Sequence, residues 1–158
     1  MFENSNYNGV LSNWKFYEAL DASDMFKNNT TFNQYIEPMF NSTSARIEDL
    51  SGMFEGATSF NKKITNWKPT NAITLKNMFK DSAFNGDIGD WFKTSDKSVP
   101  SPHALKDLSG MFSGTSKYGQ NNKSVAQKIN QWDVRTVETI DNMFNSNEPV
   151  SYTHLTLP

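Results

Sequence analysis

Apolar positions along this chain recur at a fixed distance from a repeated Met-Phe dipeptide. The dipeptide occurs seven times, and six copies recur at a near-constant interval: Met1-Phe2, Met25-Phe26, Met53-Phe54, Met78-Phe79, Met111-Phe112 and Met143-Phe144. The seventh, Met39-Phe40, lies between two of them. A rare dipeptide that returns at a near-constant interval indicates stacked copies of one small structural unit. The pattern therefore predicts a solenoid, in which each repeat contacts only its neighbours.

The positions three and six residues before the last five Met residues of this series are also apolar. The pairs are Ala19 and Ala22, Ile47 and Leu50, Ala72 and Leu75, Leu105 and Leu108, and Val137 and Ile140. In segments such as "AITLKNMF" and "VETIDNMF", this spacing predicts one or two helical or 3₁₀ turns with a single buried face.

A second segment in each repeat leads to a Trp, which is followed after a nearly constant interval by the next Met. This Trp place is occupied by Trp14, Met39, Trp67, Trp91 and Trp132. The residue three positions before it is always aliphatic: Leu11, Ile36, Ile64, Ile88 and Ile129. The residue six positions before it is Asn in the first four repeats: Asn8, Asn33, Asn61 and Asn85. Segments such as "FNKKITNW" are too short for an independent helix. They are predicted as a turn, at which the recurrent Asn side chain bonds to neighbouring backbone, followed by a short strand.

Neither segment buries its apolar face alone, whereas stacked copies form continuous internal columns of like side chains. We therefore predict an α/β solenoid of about five coils, each with a short strand and a short helix or 3₁₀ turn. It forms a single domain over residues 1–147, with units that start near Met1, Met25, Met53, Met78, Met111 and Met143.

The sequences "DLSGMFEGATSFNKKITNW" and "INQWDVRTVETIDNMF" resemble the repeat of bacterial surface proteins with BspA-type leucine-rich repeats, including mycoplasma-type surface lipoproteins. The resemblance covers about residues 1–147, and it departs from the family pattern at Met39 and in the fifth unit, which has no Phe-Asn. It implies a right-handed, leucine-rich-repeat-like stack, a cell-surface or extracellular location, and recognition or adhesion without enzyme activity.

The first and last residues of the sequence relate to the repeat pattern in different ways. Because Met1-Phe2 falls in register with the later repeats, we expect a fragment of a longer array. Residues 148–158, "EPVSYTHLTLP", have no counterpart in any unit. They are interpreted either as a capping strand or as a foreign, non-native tail. Uncapped solenoid ends expose apolar surface, so self-association through them is expected.

Composition narrows the function classes. The net charge is −2, the 15 Lys and Arg residues form no dense basic block, and Cys is absent. These features argue against a nucleic-acid partner and against thiolate metal sites. No apolar run approaches the roughly 20 residues of a membrane span, and the first residues of this chain have no signal-peptide pattern. With two His residues and no recognisable catalytic motif, no catalytic, cofactor or metal residues are expected.

Two insertions are the candidate binding elements, because extra residues in a solenoid project as loops. One lies between Trp91 and Met111, and the other between Met111 and Trp132. The candidate binding residues in them are Lys93, Asp96, Lys97, His103, Lys117, Tyr118, Asn121 and Asn122. The competing interpretation is sequence drift in loops without a role.

The predicted function is non-enzymatic recognition or adhesion at a cell surface, through the solenoid face and the inserted loops. The partner is expected to be a surface protein of a host or neighbouring cell. The alternative is a glycan-binding module that uses exposed Trp faces, against which stands the interpretation that the Trp side chains pack internally. An enzyme of the β-helix type is the third hypothesis, and it lacks clustered acidic and basic residues at repeating positions.

Overall fold

The computed structural model describes residues 1–16, 18–40, 46–95, 98, 100–115 and 129–145. Within these ranges, the helical elements are a short α-helix, α1 (Glu37–Phe40), and a 3₁₀ helix (Ile129–Gln131). Strand pairing in the same ranges is confined to isolated bridges. The predicted off-pattern tail, 148–158, lies outside the described residues.

Parallel bridges join the residues that stand four places before successive Met residues. They run from Asp21 to Asp49, then to Thr74, Asp107 and Thr139. We call the segment around each Met a rung: residues 1–4, 19–28, 47–56, 72–81, 105–114 and 137–145 form the first to the sixth rung. The rungs are therefore stacked in parallel and in the register of the sequence repeat.

Each rung is a series of tight turns. Its backbone amides donate alternately to carbonyls of the same rung and to carbonyls of the next rung. In the third rung, the Glu55 N–H donates to the Gly52 carbonyl three residues earlier, at 2.9 Å. The amides of Gly52 and Phe54 instead donate to carbonyls of the fourth rung, at 2.8 and 2.9 Å. The same backbone thus closes its own turns and pairs with the next rung, and neither set of buried amides is left without an acceptor.

The bridges and the short helices do not lie in the segments for which strand and helix are predicted. The bridges lie in the segment for which the spacing of apolar residues predicts helical turns. The two short helices lie in the segment predicted as a strand. A series of tight turns buries every third residue much as a helix does, so spacing alone does not distinguish the two arrangements.

Two columns of Phe rings fill the core. Rings of the Met-Phe dipeptides stack from rung to rung with centroids 5.4 to 5.8 Å apart: Phe2, Phe26, Phe54, Phe79, Phe112 and Phe144. Rings from the Phe-Asn positions pack beside them, with Phe60 4.0 Å from Phe54 and Phe84 4.1 Å from Phe79. The rings from Phe26 to Phe112 are fully buried.

The side chains at the Trp place form an internal column over most of the stack. Trp67, Trp91 and Trp132 are buried, whereas Trp14 is 41% exposed. The indole N–H of Trp91 donates to the Ile64 carbonyl, at 3.2 Å, and Trp132 repeats this bond one repeat later. Internal packing is thus confirmed for these three Trp residues, and their polar group is satisfied inside the stack.

The recurrent Asn residues form a ladder along the stack. The Oδ1 of Asn8 accepts from the backbone N–H of Asn33, at 3.0 Å. Asn33 accepts in the same way from Asn61, and Asn61 from Asn85, at 3.1 and 2.8 Å. The prediction that these Asn side chains bond to neighbouring backbone is confirmed.

Two further columns consist of residues with left-handed backbone. In the second to fifth rungs, one column stands one residue before Met and the other three residues after it. Their backbone φ angles lie between 51° and 68°, at Asp24, Asn28, Gly52, Gly56, Asn77, Asp81, Gly110 and Gly114. A Cβ built on Gly52 would collide with Oδ1 of Asp24, and one on Gly110 with Oδ1 of Asn77. Gly therefore stands where the preceding rung places an Asp or Asn side chain over the backbone.

Truncation of a central ring is expected to be far more destabilising than truncation of the end ring. Phe54 stacks on rings from both neighbouring rungs, so Phe54→Ala should lower the free energy of unfolding by about 3–5 kcal/mol. Phe2 is only partly buried and has one neighbouring rung, so Phe2→Ala should cost less than half as much. Chemical denaturation measures both values, and equal losses would contradict the stacked core.

The left-handed column makes a separate prediction. Gly52→Ala should destabilise the chain by about 1–2 kcal/mol through its backbone conformation, and further through the collision with Asp24. In an Asp24→Gly background the collision is absent, so the same substitution should cost less. A double-mutant cycle measures this coupling. Strict additivity would show that the two residues do not meet across the rungs.

Candidate binding surface

The outer side of the stack presents a column of short polar side chains at the bridge positions. The carboxylates of Asp21, Asp49 and Asp107 each accept a hydrogen bond from the amide two residues later, at 2.7 to 2.8 Å. The hydroxyl of Thr74 accepts from its equivalent amide at 3.2 Å. These side chains close local turns of the backbone, which fixes the direction in which each one points. The hydrogen bonds from Ser23 also lower the pKa of Asp21.

A column of alternating charges lies at the positions two residues after Met in the second, third and fourth rungs. Glu55 pairs with Lys27 at 3.4 Å and with Lys80 at 3.3 Å, so the rungs are joined by a cation, an anion and a cation in sequence. Burial acts to lower the pKa of Lys27, but Asp24 and Glu55 outweigh it and raise the pKa. Because these side chains are partly exposed, the pairs contribute little to stability and mainly order the surface.

The two insertions flank a junction between the fourth and fifth repeats. Lys93 forms an antiparallel bridge with Trp132, and the Asp133 N–H donates to the Phe92 carbonyl at 2.8 Å. An open cavity of about 470 Å³ lies at this junction, lined by Lys93, Thr94, Asn130 and Gln131. The lining offers an ammonium, a hydroxyl and two amides, which suits hydrogen bonding to a polar partner.

An ion pair between the buried carboxylate of Asp133 and the partly exposed guanidinium of Arg135 supports this junction. Asp133 is 1% exposed, and the guanidinium of Arg135 donates to both of its carboxylate oxygens, at 2.8 Å each. These bonds, with a further one from Ser101, hold the pKa of Asp133 well below its usual range although burial opposes them. The charge of Asp133 is therefore retained, and the pair fixes the chain where it leaves Trp132.

His103 lies beside this pair. Its side chain is buried with its ring edge-on to Phe92 at 5.4 Å, and neither imidazole nitrogen has a hydrogen-bond partner among the residues that the structure describes. Burial lowers the pKa of His103, and the negative charge of Asp133 offsets this only in part. The imidazole is consequently neutral in the folded chain near neutral pH, and it contributes as an apolar ring of the junction.

The eight predicted binding residues divide into two groups. Lys93 is exposed at the rim of the open cavity, where its ammonium lies 3.8 Å from the carboxylate of Asp90. His103 is buried, so its imidazole is not presented to a partner. The other six lie outside the described residues: Asp96, Lys97, Lys117, Tyr118, Asn121 and Asn122.

The prediction did not include Thr94, Asn130 or Gln131, which complete the cavity around Lys93. A usable signal is present in the sequence. Thr94 stands three residues after Trp91, and Asn130 and Gln131 immediately precede Trp132. Because stacked Trp residues bring their flanking segments together, polar residues beside two successive Trp positions are expected to share one surface.

Within the described ranges, His, Asp and Glu side chains form no cluster of three or more that would hold a metal ion. The same part of the chain contains no helix long and apolar enough to cross a membrane.

The chain was compared with known protein families, curated proteins and solved structures. A family model described as "Mycoplasma protein of unknown function, DUF285" matches residues 1–120 and, in a second copy, residues 98–153. The two matches together extend over nearly the whole chain. No curated protein and no solved structure matches the chain.

The buried imidazole predicts a loss of stability in mild acid. Burial holds the folded-state pKa of His103 below the ordinary value of about 6.5, so the unfolded chain binds this proton first as the pH falls. His103 therefore reduces stability as the pH falls below about 6.5 towards its folded pKa, by up to about 1.4 kcal/mol per pH unit.

His103→Phe keeps a ring against Phe92 and should flatten this part of the stability profile. The matched control is His154→Phe, which changes the only other His of the chain. Urea denaturation at a series of pH values between 5 and 8 measures the slopes. An unchanged slope in His103→Phe would show that this imidazole does not titrate on unfolding.

Proposed function

The chain belongs to the DUF285 family of Mycoplasma proteins of unknown function. For this member of the family, we propose the function of a non-enzymatic recognition segment that binds protein partners. The observation that carries the proposal is the ordered outer surface of the rungs. Side chains at the bridge positions point in directions fixed by their own backbone hydrogen bonds, and they recur in register from Asp21 to Thr139.

An extended surface of this kind suits recognition through many weak contacts. Asp or Thr occupies each bridge position, and Ser, Lys or Asp stands two residues later in each rung. The bridges hold these positions at a regular spacing. Repeat proteins commonly use such surfaces to bind other macromolecules, because neighbouring repeats present equivalent positions side by side. The cavity beside Lys93 is a second polar feature of the chain, near the insertions.

We further propose that the stacked rungs form a leucine-rich-repeat-like solenoid and that the segment acts in adhesion at the cell surface. The parallel bridges and the stacked Phe rings support the architectural part. The location and the adhesive role rest on the resemblance of the repeat to bacterial surface proteins.

Glycan binding through Trp faces has support at one position. Trp67, Trp91 and Trp132 are buried and use their indole faces and edges inside the stack. Trp14 is the exposed member of the set. One exposed indole does not provide a ladder for successive sugar rings, so protein binding is the function that we favour.

Binding of the fluorescently labelled chain to cultured epithelial cells tests the proposal. Protein recognition predicts saturable binding that protease treatment of the cells removes and glycosidase treatment leaves. Binding that is lost only after glycosidase treatment would contradict it and favour the glycan alternative. Turnover of a polysaccharide by the chain would contradict the non-enzymatic assignment.

Charge reversals at three lysines locate the surface. Lys76→Glu changes the exposed position two residues after the Thr74 bridge, and Lys93→Glu changes the rim of the cavity. Each should weaken binding about tenfold, which corresponds to about 1.4 kcal/mol. The matched control is Lys63→Glu, an equally large charge change at an exposed residue of the segment between Phe60 and Trp67. Equal effects of all three would indicate non-specific attraction instead of a defined surface.

A further inference from the structure

A glutamate carboxylate lies between two successive repeats at one place in this chain. Glu37, in the second repeat, is 1% exposed, and its carboxylate accepts the backbone N–H of Asn66, in the third repeat, at 2.5 Å. The side-chain amide of Asn66 donates to the same carboxylate at 3.4 Å, and the hydroxyl of Tyr35 donates to it at 2.7 Å. Backbone and side-chain donors thus hold a carboxylate in the space between neighbouring repeats.

The equivalent place between the fourth and fifth repeats has no such side chain. Counted from the Trp place, Gly89 stands where Glu37 stands, and Gln131 stands where Asn66 stands. The Gln131 N–H has no hydrogen-bond partner among the residues that the structure describes. Gln131 also lines the open cavity, together with Lys93, Thr94 and Asn130. An amide that finds a carboxylate one place earlier in the stack therefore lies unpaired at a cavity.

The lining of the cavity offers a positive charge and further donors. The ammonium of Lys93 lies 3.8 Å from the carboxylate of Asp90, and both side chains are more than half exposed. An exposed pair at this distance is weak, so the ammonium remains available to a second anion. The side-chain amides of Asn130 and Gln131 have no hydrogen-bond partner in the described part of the chain. A carboxylate, which only accepts hydrogen bonds, suits such a set of donors.

We propose that this cavity binds the carboxylate of a glutamate side chain of the protein partner, with the Gln131 N–H as its main donor and Lys93 as its countercharge. The inference rests on the proposed function for the existence of a protein partner, and it names the group that this partner supplies. Glutamate is the residue in question because Glu37 fills the equivalent place in the chain itself. Hydrogen bonds from N–H groups to a carboxylate are stronger than those between neutral groups, which makes one such group a useful anchor.

N-acetyl-glutamate N-methylamide is the probe, because its side chain carries its only carboxylate. In an NMR titration of the ¹⁵N-labelled chain, the Gln131 amide signal should move downfield and saturate. N-acetyl-glutamine N-methylamide has the same shape without the charge, and it should bind about tenfold more weakly. Equal shifts with the two probes, or no shift with the glutamate probe, would overturn the proposal.

Two substitutions at Gln131 separate its backbone from its side chain. Gln131→Pro removes the N–H, and it is compatible with the fold because Pro38 occupies the same position within α1. It should weaken binding of the glutamate probe about tenfold, as followed through the Thr94 amide. Gln131→Ala is the matched control, since it keeps the N–H and should weaken binding less than about threefold. Equal losses in the two variants would contradict the backbone donor.

Gly89→Glu supplies the carboxylate from within the chain, so this measurement does not depend on a weak affinity. Gly89 does not belong to the glycines with left-handed backbone, and its conformation therefore admits a side chain. The variant should slow hydrogen exchange of the Gln131 amide about tenfold and prevent binding of the probe. Gly89→Gln, of equal length and no charge, should have a smaller effect on both. Exchange as fast in Gly89→Glu as in the parent chain would count against a carboxylate at this place.

The titration uses no cells, so its failure is distinguishable from failure of the proposed function. Saturable binding of the glutamate probe by a chain that shows no protease-sensitive binding to cells would sustain the carboxylate site and contradict the proposed function. Protease-sensitive binding to cells without binding of the probe would overturn the site alone. Shifts of the Gln131 amide with the methyl glycoside of N-acetylneuraminic acid, and not with the glutamate probe, would assign the cavity to a sugar carboxylate and overturn the proposal.

Discussion

The alternation of backbone amides between two partners is the interaction on which the rest of this structure depends. Every second amide of a rung closes a turn within it, and the amides between them donate to the next rung. Each such bond contributes about 0.5–1.5 kcal/mol, and stacked aromatic pairs add a similar amount beyond the burial of their surface. Because both kinds of contact repeat in register, the side chains at the bridge positions are held at regular intervals along the outer surface.

This alternation imposes a conformational constraint that shapes the sequence. A rung can turn tightly enough only if two of its positions adopt left-handed backbone, which Gly, Asn and Asp tolerate best. The side chain of an Asp or Asn then covers the same position of the next rung, as Asp24 does above Gly52 and Asp81 above Gly114. Where two such side chains meet, at Asn4 and Asn28, their amide groups form a hydrogen bond of 3.0 Å. Packing across rungs thus decides which of the permitted residues stands at each place.

The sequence contained enough information to predict the columns but not the path of the backbone within a rung. Spacing from Met identified the buried positions, and the recurrent Asn residues were correctly assigned to backbone contacts. Isolated bridges lie where the spacing predicted helical turns, because consecutive tight turns bury the same positions as a helix. The binding residues were harder to predict, because a long insertion has no repeat partner from which its path follows. His103 illustrates this, since nothing in its local sequence distinguishes a buried imidazole from an exposed one.

Ring-to-ring contacts in solution test the account most directly, because they report on the stack itself. The centroids of Phe26, Phe54 and Phe79 lie 5.4 to 5.7 Å apart although the residues are more than 20 positions apart in the sequence. With these rings selectively labelled, the structure predicts nuclear Overhauser contacts between Phe54 and both of its neighbours, and none between Phe26 and Phe79. Contacts confined to rings within one repeat, such as Phe54 and Phe60, would contradict the stacking of rungs.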